Sequence, residues 1–273
     1  MKKLYAGLAV VVLAGCVSRP MDNRELIDSM IAGRDAVTAR ELYVDFYANA
    51  SNLVFRANAD SWVAPLDLSC LSVWNTSAEP HSHGGTLISP WHVLFSRHWY
   101  LGKGKSLYFR DRSGKVHKRD VADARHVKGT DLTVAALTEA LDEIEPVRVL
   151  ATNAVSRLQK GEPVIVINQD KYATIADLDG FGEKTDPLKA PKFSFGPPCD
   201  PARRSFFVLV RNFDSGSPTF MLDEEGPILL GLHWEVGEDA NVTAFTAAVQ
   251  KLMDELHPGC TLRQVSAMGR LPI

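Results

Sequence analysis

The chain has 273 residues, of which 45% are hydrophobic, so it is long enough and apolar enough to form one large domain or two lobes around a packed core. Its formal net charge of −3 excludes the strongly basic composition that is typical of nucleic-acid-binding proteins, and no nucleic-acid partner is expected.

The N-terminus has the pattern of an export signal. In "MKKLYAGLAVVVLAGC" a basic pair precedes an apolar run from Leu4 to Leu13, which is too short to span a bilayer and is followed by small residues and Cys16. The ending "LAGC" resembles the lipobox of bacterial lipoproteins. This resemblance implies that residues 1–15 are a signal peptide and that Cys16 is acylated. The lipid would anchor the protein in a bacterial cell envelope, at the outer side of the cytoplasmic membrane or at the outer membrane. An ordinary signal peptide or a buried apolar strand is the alternative.

Outside the cytoplasm, the remaining cysteines could form a disulfide. Cys70, Cys199 and Cys260 allow one bridge and one free thiol in three possible pairings, and the sequence does not choose among them. The chain has no CxxC spacing, so a thiolate zinc site is not expected.

Residues 16–60 are predicted to be a tether followed by a helical extension. The first helix begins near Asp22, with Glu25 in capping-box position. The second opens with "TARE" at residues 38–41, again a capping-box pattern. Its apolar face is Leu42, Tyr43, Phe46 and Tyr47. Both helices are expected to dock on the domain behind them, with a partner-binding role as the alternative.

From about Ser61 the chain changes to short apolar runs separated by turn residues, which predicts an all-β domain over residues 61–273. The runs are "GGTLISP", "SLYFRD", "DLTVAAL", "EPVIVIN", "SFFVLV" and "PILLGLHW". Short strands without alternating helices indicate a sandwich or a barrel. The segment "TAFTAAVQKLMDELHPG" has apolar residues at helical spacing and predicts a closing amphipathic helix.

Three polar residues near these runs could form one site. Ser215 lies in "NFDSGSP", His98 ends "GGTLISPWHVLFSRH", and Asp131 opens "DLTVAAL". Acyl transfer by a serine needs a base to take its proton and a carboxylate to orient that base. Asp131 precedes a strand made for burial, and a buried carboxylate needs a donor that a histidine N–H would supply. The alternative is that Ser215 belongs to a plain turn, since Asp, Ser and Gly all favour turns.

The order and setting of these motifs resemble those of the trypsin/chymotrypsin-like serine proteases, over roughly residues 66–257. After the serine motif, "GPILLGLHWEVG" is similar to the family's next hairpin, and the family also closes with a C-terminal helix. The resemblance implies an all-β, chymotrypsin-like double β-barrel, preceded here by two N-terminal helices, with a barrel boundary near residues 152–162. It implies an endopeptidase that cleaves protein or peptide substrates through an acyl-enzyme and without a cofactor. His98 would be the base, Asp131 the orienting acid and Ser215 the nucleophile.

The chain departs from the family pattern around the serine. Phe213 stands where the family has glycine, and its backbone N–H would form the oxyanion hole together with that of Ser215. If that position needs a positive φ, a side chain strains it. The alternative function is therefore a pseudoprotease that keeps the fold as a cell-envelope binding module. Trp99 replaces the family's cysteine after His98. No Ile-Val-Gly-Gly start occurs, so Asp214 needs a partner other than a freed N-terminus.

The resemblance also locates a specificity pocket. Its predicted residues are Leu209, Val210, His233 and Trp234. A metal site is a weaker alternative use of the histidines: His81 and His83 form an H-x-H pair that His92 or His233 could complete, but no acidic ligand pattern accompanies them. No metal is therefore expected.

Overall fold

The computed structural model describes residues 19–49, 52–76, 84–183 and 191–266. The predicted signal peptide, residues 1–15, and Cys16 lie outside the described residues, as do His81 and His83. Within the described ranges, no helix combines the length and the apolar character needed to cross a membrane.

Strands dominate the structure. The α-helices are α1 (Asn23–Ile31), α2 (Ala36–Ala39), α3 (Pro201–Ser205) and α4 (Thr246–Leu256). Short 3-10 helices cover Arg97–Trp99, Thr152–Arg157 and Thr243–Phe245. The strands are β1 (Tyr43–Asn49), β2 (Asn52–Ala57), β3 (Ser72–Asn75), β4 (Thr86–Ser89), β5 (His92–Ser96), β6 (Ser106–Arg110), β7 (Val116–His126), β8 (Leu132–Leu137), β9 (Arg148–Leu150), β10 (Pro163–Ile167), β11 (Ala173–Glu183), β12 (Pro191–Gly196), β13 (Pro218–Asp223), β14 (Gly226–Glu235), β15 (Glu238–Asn241) and β16 (Gln264–Val265).

The first barrel is an antiparallel sheet in the order β3-β6-β7-β8-β5-β4. It closes where the chain before β3 meets β4, through a bridge between Leu71 and Thr86 and a bond from the Leu87 N–H to the Cys70 carbonyl of 2.8 Å. Closure removes the exposed strand edges. Apolar side chains such as Leu94 and Leu107, both without solvent exposure, fill the interior.

The second barrel is a ring in the order β10-β11-β12-β15-β14-β13, in which β13 pairs back with β10. Strands β9 and β16 continue this sheet beyond β14 in parallel pairing. The segment 152–162, predicted as the barrel boundary, joins β9 to β10 and contains the 3-10 helix Thr152–Arg157. Helix α4 packs back on β7 and β8 of the first barrel, and His92 Nε2 lies 3.1 Å from the Met253 carbonyl of α4.

The predicted fold class is confirmed: the chain is an all-β, chymotrypsin-like double barrel with a C-terminal helix and N-terminal helices. One predicted strand is wrong. The run "SFFVLV", residues 205–210, forms no strand, because Asp200 caps α3 and Pro201 starts it. The residues after α3 run as irregular chain towards the serine, with Phe206 and Val210 packed into the cores.

The N-terminal extension is only partly helical. Helix α1 has the predicted capping box, in which the Asp22 carboxylate accepts the Glu25 N–H and Glu25 accepts the Asp22 N–H. The second helix, α2, has only four residues and is capped by Asp35. The predicted helix face at Leu42–Tyr47 is wrong, because Tyr43–Asn49 is strand β1 paired with β2. Its aromatic residues suit a strand, and Phe46 packs on Phe55 of β2 at 5.5 Å between ring centroids.

Helix α1 docks on the second barrel, as the sequence predicts. The buried Asn23 side chain donates to Glu162 Oε1 at 2.7 Å and accepts the Leu222 N–H at 2.8 Å. Arg203 of α3 donates two bonds to the carboxylate of Asp28 on α1. These bonds fix the helix against the barrel, so α1 acts as a brace.

None of the three possible disulfide pairings is formed. Cys70 is buried, Cys260 is half-buried and Cys199 is exposed, and all three are free thiols. Burial raises the pKa of the Cys70 thiol well above its ordinary value, which keeps this side chain protonated as a small apolar core residue.

Candidate active site

Three loops from the two barrels bring His98, Asp131 and Ser215 together. The His98 Nδ1–H donates to Asp131 Oδ2 at 2.7 Å, and His98 Nε2 lies 2.8 Å from Ser215 Oγ. His98 belongs to the 3-10 helix that follows β5, and Asp131 directly precedes β8, the neighbour of β5 in the first barrel. Ser215 precedes β13 of the second barrel. The serine, the imidazole and the carboxylate thus form one hydrogen-bonded chain.

Asp131 fixes the position and the tautomer of the histidine. Its side chain is 4% exposed, and besides the His98 ring its carboxylate accepts the His98 backbone N–H at 3.0 Å. The Asp131 carbonyl accepts the Arg97 N–H at 2.7 Å, which ties the same turn to β8. A carboxylate can only accept, so it holds the proton on His98 Nδ1 and leaves Nε2 to accept the Ser215 hydroxyl proton.

Glycines let the two barrels approach closely beside the serine. Gly216 has φ of 80°, and its N–H donates to the His233 carbonyl at 2.8 Å. A Cβ on Gly84, before β4, would lie 2.7 Å from the Gly216 carbonyl oxygen. Only glycine fits both positions, since a side chain at Gly84 would push the serine loop away from the first barrel.

Phe213 adopts the backbone conformation that glycine favours. Its φ is 79°, and within the described ranges Lys171 is the other non-glycine residue with a positive φ. The residue is 47% exposed, and its ring packs on that of Trp99 at 6.0 Å between centroids. The phenyl side chain therefore coexists with a left-handed backbone, at a strain of about 1–2 kcal/mol.

Asp214 has partners inside the second barrel. Its carboxylate, which has no solvent exposure, accepts the N–H of Gln169 at 2.9 Å and that of Arg211 at 2.8 Å. The nearly buried Lys171 lies close enough for the two charges to interact: burial lowers the pKa of Lys171 to about 8, and the charge of Asp214 opposes that shift. These residues are the partners of the Asp214 carboxylate. No sequence motif predicted them.

An open cleft of about 610 Å³ adjoins the serine and the histidine. The predicted pocket residues His233 and Trp234 line it. Leu209 and Val210 do not: Leu209 is 64% exposed outside the cleft and Val210 is packed in the core of the second barrel. Both lie on irregular chain after α3, where the family resemblance did not fix the register. The cleft is also lined by Trp99, Arg211, Asn212, Phe213, Glu235, Val236 and Glu238.

One wall of the cleft contains an ion pair that the sequence did not predict. Lys192 of β12 places its Nζ 3.1 Å from Glu238 Oε2 and 3.5 Å above the ring centroid of Trp234. Lys192 is 4% exposed and Glu238 8% exposed. The pair and the cation–π contact hold the Trp234 ring in place. No local pattern marks these residues, because β12, β14 and β15 meet only in the folded barrel.

The histidines considered for a metal have other contacts. His92 lies with Nδ1 2.7 Å from Ser89 Oγ, and His233 lies with Nδ1 3.2 Å from Asp239 Oδ1. Across the part of the chain that the structure describes, no three His, Cys, Asp or Glu residues cluster as metal ligands would.

No protein-family model and no curated protein matches this chain. Among solved structures the chain resembles the Vibrio cholerae VesB protease, with a TM-score of 0.48 and 16% sequence identity. The match covers 67% of this chain and 63% of that chain, so this chain spans less than two thirds of that structure.

Proposed function

We propose that this protein is a serine endopeptidase that cleaves peptide bonds through His98, Asp131 and Ser215. The observation that carries the proposal is the hydrogen-bonded chain from the Asp131 carboxylate through His98 to the Ser215 hydroxyl, at the edge of an open cleft. The 2.7 Å between Asp131 and His98 is the distance of an orienting acid in contact with its base, and the 2.8 Å between His98 and Ser215 is that of a base in contact with its nucleophile.

In the first half of the reaction, Ser215 Oγ attacks the carbonyl carbon of the scissile bond while His98 Nε2 takes the hydroxyl proton. The backbone N–H groups of Phe213 and Ser215 donate to the developing oxyanion. His98 then gives its proton to the leaving amine, and the acyl group remains on Ser215 as an ester. A water molecule reverses these steps, with His98 again first as base and then as acid. Asp131 stabilises the imidazolium that forms each time.

The alternative function, a binding module on an inactive protease fold, depended on Phe213. The sequence predicts that a side chain there strains the oxyanion loop. The φ of 79° at Phe213 supports the enzyme instead, because the backbone holds a left-handed conformation despite the ring. The positions of Asp214 and Gly216 are also supported by bonds within the second barrel and need no freed N-terminus.

The test of this proposal is cleavage by the full-length protein in detergent micelles. A mixture of synthetic peptides is incubated with the wild-type protein and with Ser215→Ala, and the products are identified by mass spectrometry. We expect internal cleavage by the wild type and a loss of about 10³-fold or more in the variant. Binding of peptides by both proteins without cleavage by either would favour the binding module.

We further propose that the protein is held in a bacterial cell envelope by lipid on Cys16. The support is the N-terminal sequence, with its basic pair, apolar run and "LAGC" ending. Metabolic labelling with an alkynyl palmitate should mark the wild-type protein and not Cys16→Ser. Equal labelling of both proteins, or labelling of neither, would contradict the anchor.

A further inference from the structure

We propose that Trp99 and Phe213 form the subsite that holds the side chain on the leaving-group side of the scissile bond, and that this subsite selects large apolar residues. This inference rests on the proposed function. It concerns two residues that depart from the family pattern, and neither belongs to the hydrogen-bonded chain.

The two aromatic rings form a contact between the barrels. Trp99 follows His98 in the 3-10 helix of the first barrel, and Phe213 lies two residues before Ser215 in the loop of the second. Their ring centroids are 6.0 Å apart with the ring planes tilted by 53°. Both residues line the cleft that contains His98 and Ser215. The pair is therefore an apolar surface beside the reacting atoms.

The direction of proton transfer assigns this surface to the leaving group. His98 has to deliver its proton to the amine nitrogen, so the residue that begins with that nitrogen lies on the His98 side of Ser215. Trp99 is the chain neighbour of His98, and Phe213 packs on Trp99. Gly216, on the C-terminal side of Ser215 in the chain, is bonded to the His233 carbonyl, next to Trp234. The acyl part of the substrate would lie there.

The composition of the surface sets the preferred side chain. Phe213 is 47% exposed, so it presents a large part of its ring to whatever lies in the cleft. Two aromatic rings at a tilt offer faces and edges to a third ring or to a branched aliphatic chain. Of the acidic residues of the cleft, Glu235 follows Trp234 in the chain and Glu238 pairs with the Lys192 that lies over the Trp234 ring. The charged residue of the cleft that is nearest to Phe213 in the chain, Arg211, is paired with Asp170. A leucine or phenylalanine after the scissile bond would bury apolar area that glycine cannot.

Acyl transfer to added amines measures this subsite separately from acylation. p-Nitrophenyl acetate acylates Ser215 Oγ and releases p-nitrophenol. An added amino-acid amide then attacks the acetyl carbon: the new C–N bond forms, the C–Oγ bond breaks, and the amine proton passes through His98 to Ser215 Oγ. This step is the reverse of acylation by a peptide, so the amine occupies the leaving-group site. The measured quantity is the ratio of N-acetyl-amino-acid amide to acetate, which does not depend on how fast the ester forms.

For the full-length wild type, we expect phenylalanine amide and leucine amide to capture the acetyl group at least about 10-fold better than glycine amide. Trp99→Ala and Phe213→Ala should each bring this preference below about 3-fold. Leu209→Ala, an exposed apolar residue outside the cleft, should retain it.

Three results would overturn the inference. They are equal capture of all three amides by the wild type, better capture of glycine amide than of the other two, and an unchanged preference in both aromatic variants. If p-nitrophenol release by the wild type does not exceed that of Ser215→Ala, no acyl-enzyme forms, and the proposed function itself fails. The two failures are thus distinguished by whether release requires Ser215.

Discussion

The backbone of Phe213 gives a prediction that separates strain from side-chain contact. We compare Phe213→Ala with Phe213→Gly, because both lose the phenyl ring and only the alanine keeps a Cβ. At φ of 79° a Cβ costs about 1–2 kcal/mol. The greater freedom of glycine in the unfolded chain favours alanine by about 0.4–1 kcal/mol. The central values of these terms, about 1.5 and 0.7 kcal/mol, predict that the glycine variant is the more stable of the two by about 0.8 kcal/mol.

Tyr100 provides the matched control. It is also an exposed aromatic residue in contact with another ring, but its φ is −97°. An alanine is unstrained at that φ, so Tyr100→Ala should be more stable than Tyr100→Gly by about 0.4–1 kcal/mol. The sign of the Ala–Gly difference should thus reverse between the two positions.

Equilibrium urea unfolding, followed by tryptophan fluorescence, gives the free energy of unfolding of each variant. The comparison within each pair removes the loss of the ring from the result. If Phe213→Ala were as stable as Phe213→Gly, or more so, Phe213 would not have the left-handed backbone conformation. That conformation could then no longer support the proposal that the Phe213 N–H belongs to the oxyanion hole.

Three further predictions concern buried groups and a close approach. Burial lowers the pKa of His92 to about 4, so between pH 6.5 and pH 4 the unfolded chain binds a proton that the folded protein does not. The free energy of unfolding of the wild type should therefore fall by about 3 kcal/mol more over this interval than that of His92→Gln. Burial lowers the pKa of Lys171 to about 8, so between pH 8 and pH 10.5 the unfolded chain holds a proton that the folded protein has lost. In urea unfolding, the free energy of unfolding of the wild type should therefore rise by up to about 3 kcal/mol relative to that of Lys171→Met. For either residue, a difference between wild type and variant that does not change with pH would contradict the burial of that group. Gly84→Ala places a Cβ 2.7 Å from the Gly216 carbonyl, so it should slow ester hydrolysis by at least about 10-fold, whereas Gly102→Ala, with nothing within 4 Å of its Cβ, should not; equal rates would refute the close approach.

The parts of the site that sequence reasoning located are those marked by local patterns. His98, Asp131 and Ser215 each adjoin an apolar strand within a short stretch of chain, and the strands themselves show as apolar runs. Likewise, the α1 capping box needs only Asp22 and Glu25, three residues apart. Such patterns can be recognised without the tertiary structure because the residues that form them are close together in the chain.

The predictions from sequence are wrong where two kinds of local structure fit the same residues. Apolar residues at positions 42, 43, 46 and 47 fit a helix face, and they equally fit a twisted strand of aromatic residues. The pairing with Asn52–Ala57 decides between the two. In "SFFVLV" the composition favours a strand, yet the Asp200 cap and Pro201 begin a helix just before it. Leu209 then projects into solvent, so it cannot line the pocket.

Some features of the site have no sequence signal at all. The charge of Asp214 acts on Lys171, which lies in a turn between β10 and β11, and Lys192 contacts Glu238 and Trp234 from a different strand. Each interaction depends on how the strands of the second barrel are ordered. The packing of Trp99 on Phe213 also joins two barrels, although each residue was visible as a departure from the family pattern.

Labelling by a fluorophosphonate, which reacts with an activated serine, tests most directly whether His98 activates Ser215. Full-length wild-type protein should take up one probe per chain, with the mass increase on Ser215 after proteolysis and tandem mass spectrometry. Ser215→Ala should take up none. His98→Ala should react at least about 10³-fold more slowly, because the base that accepts the hydroxyl proton is missing. Absence of labelling in folded wild-type protein, or labelling that His98→Ala leaves unchanged, would contradict the proposal that His98 activates Ser215.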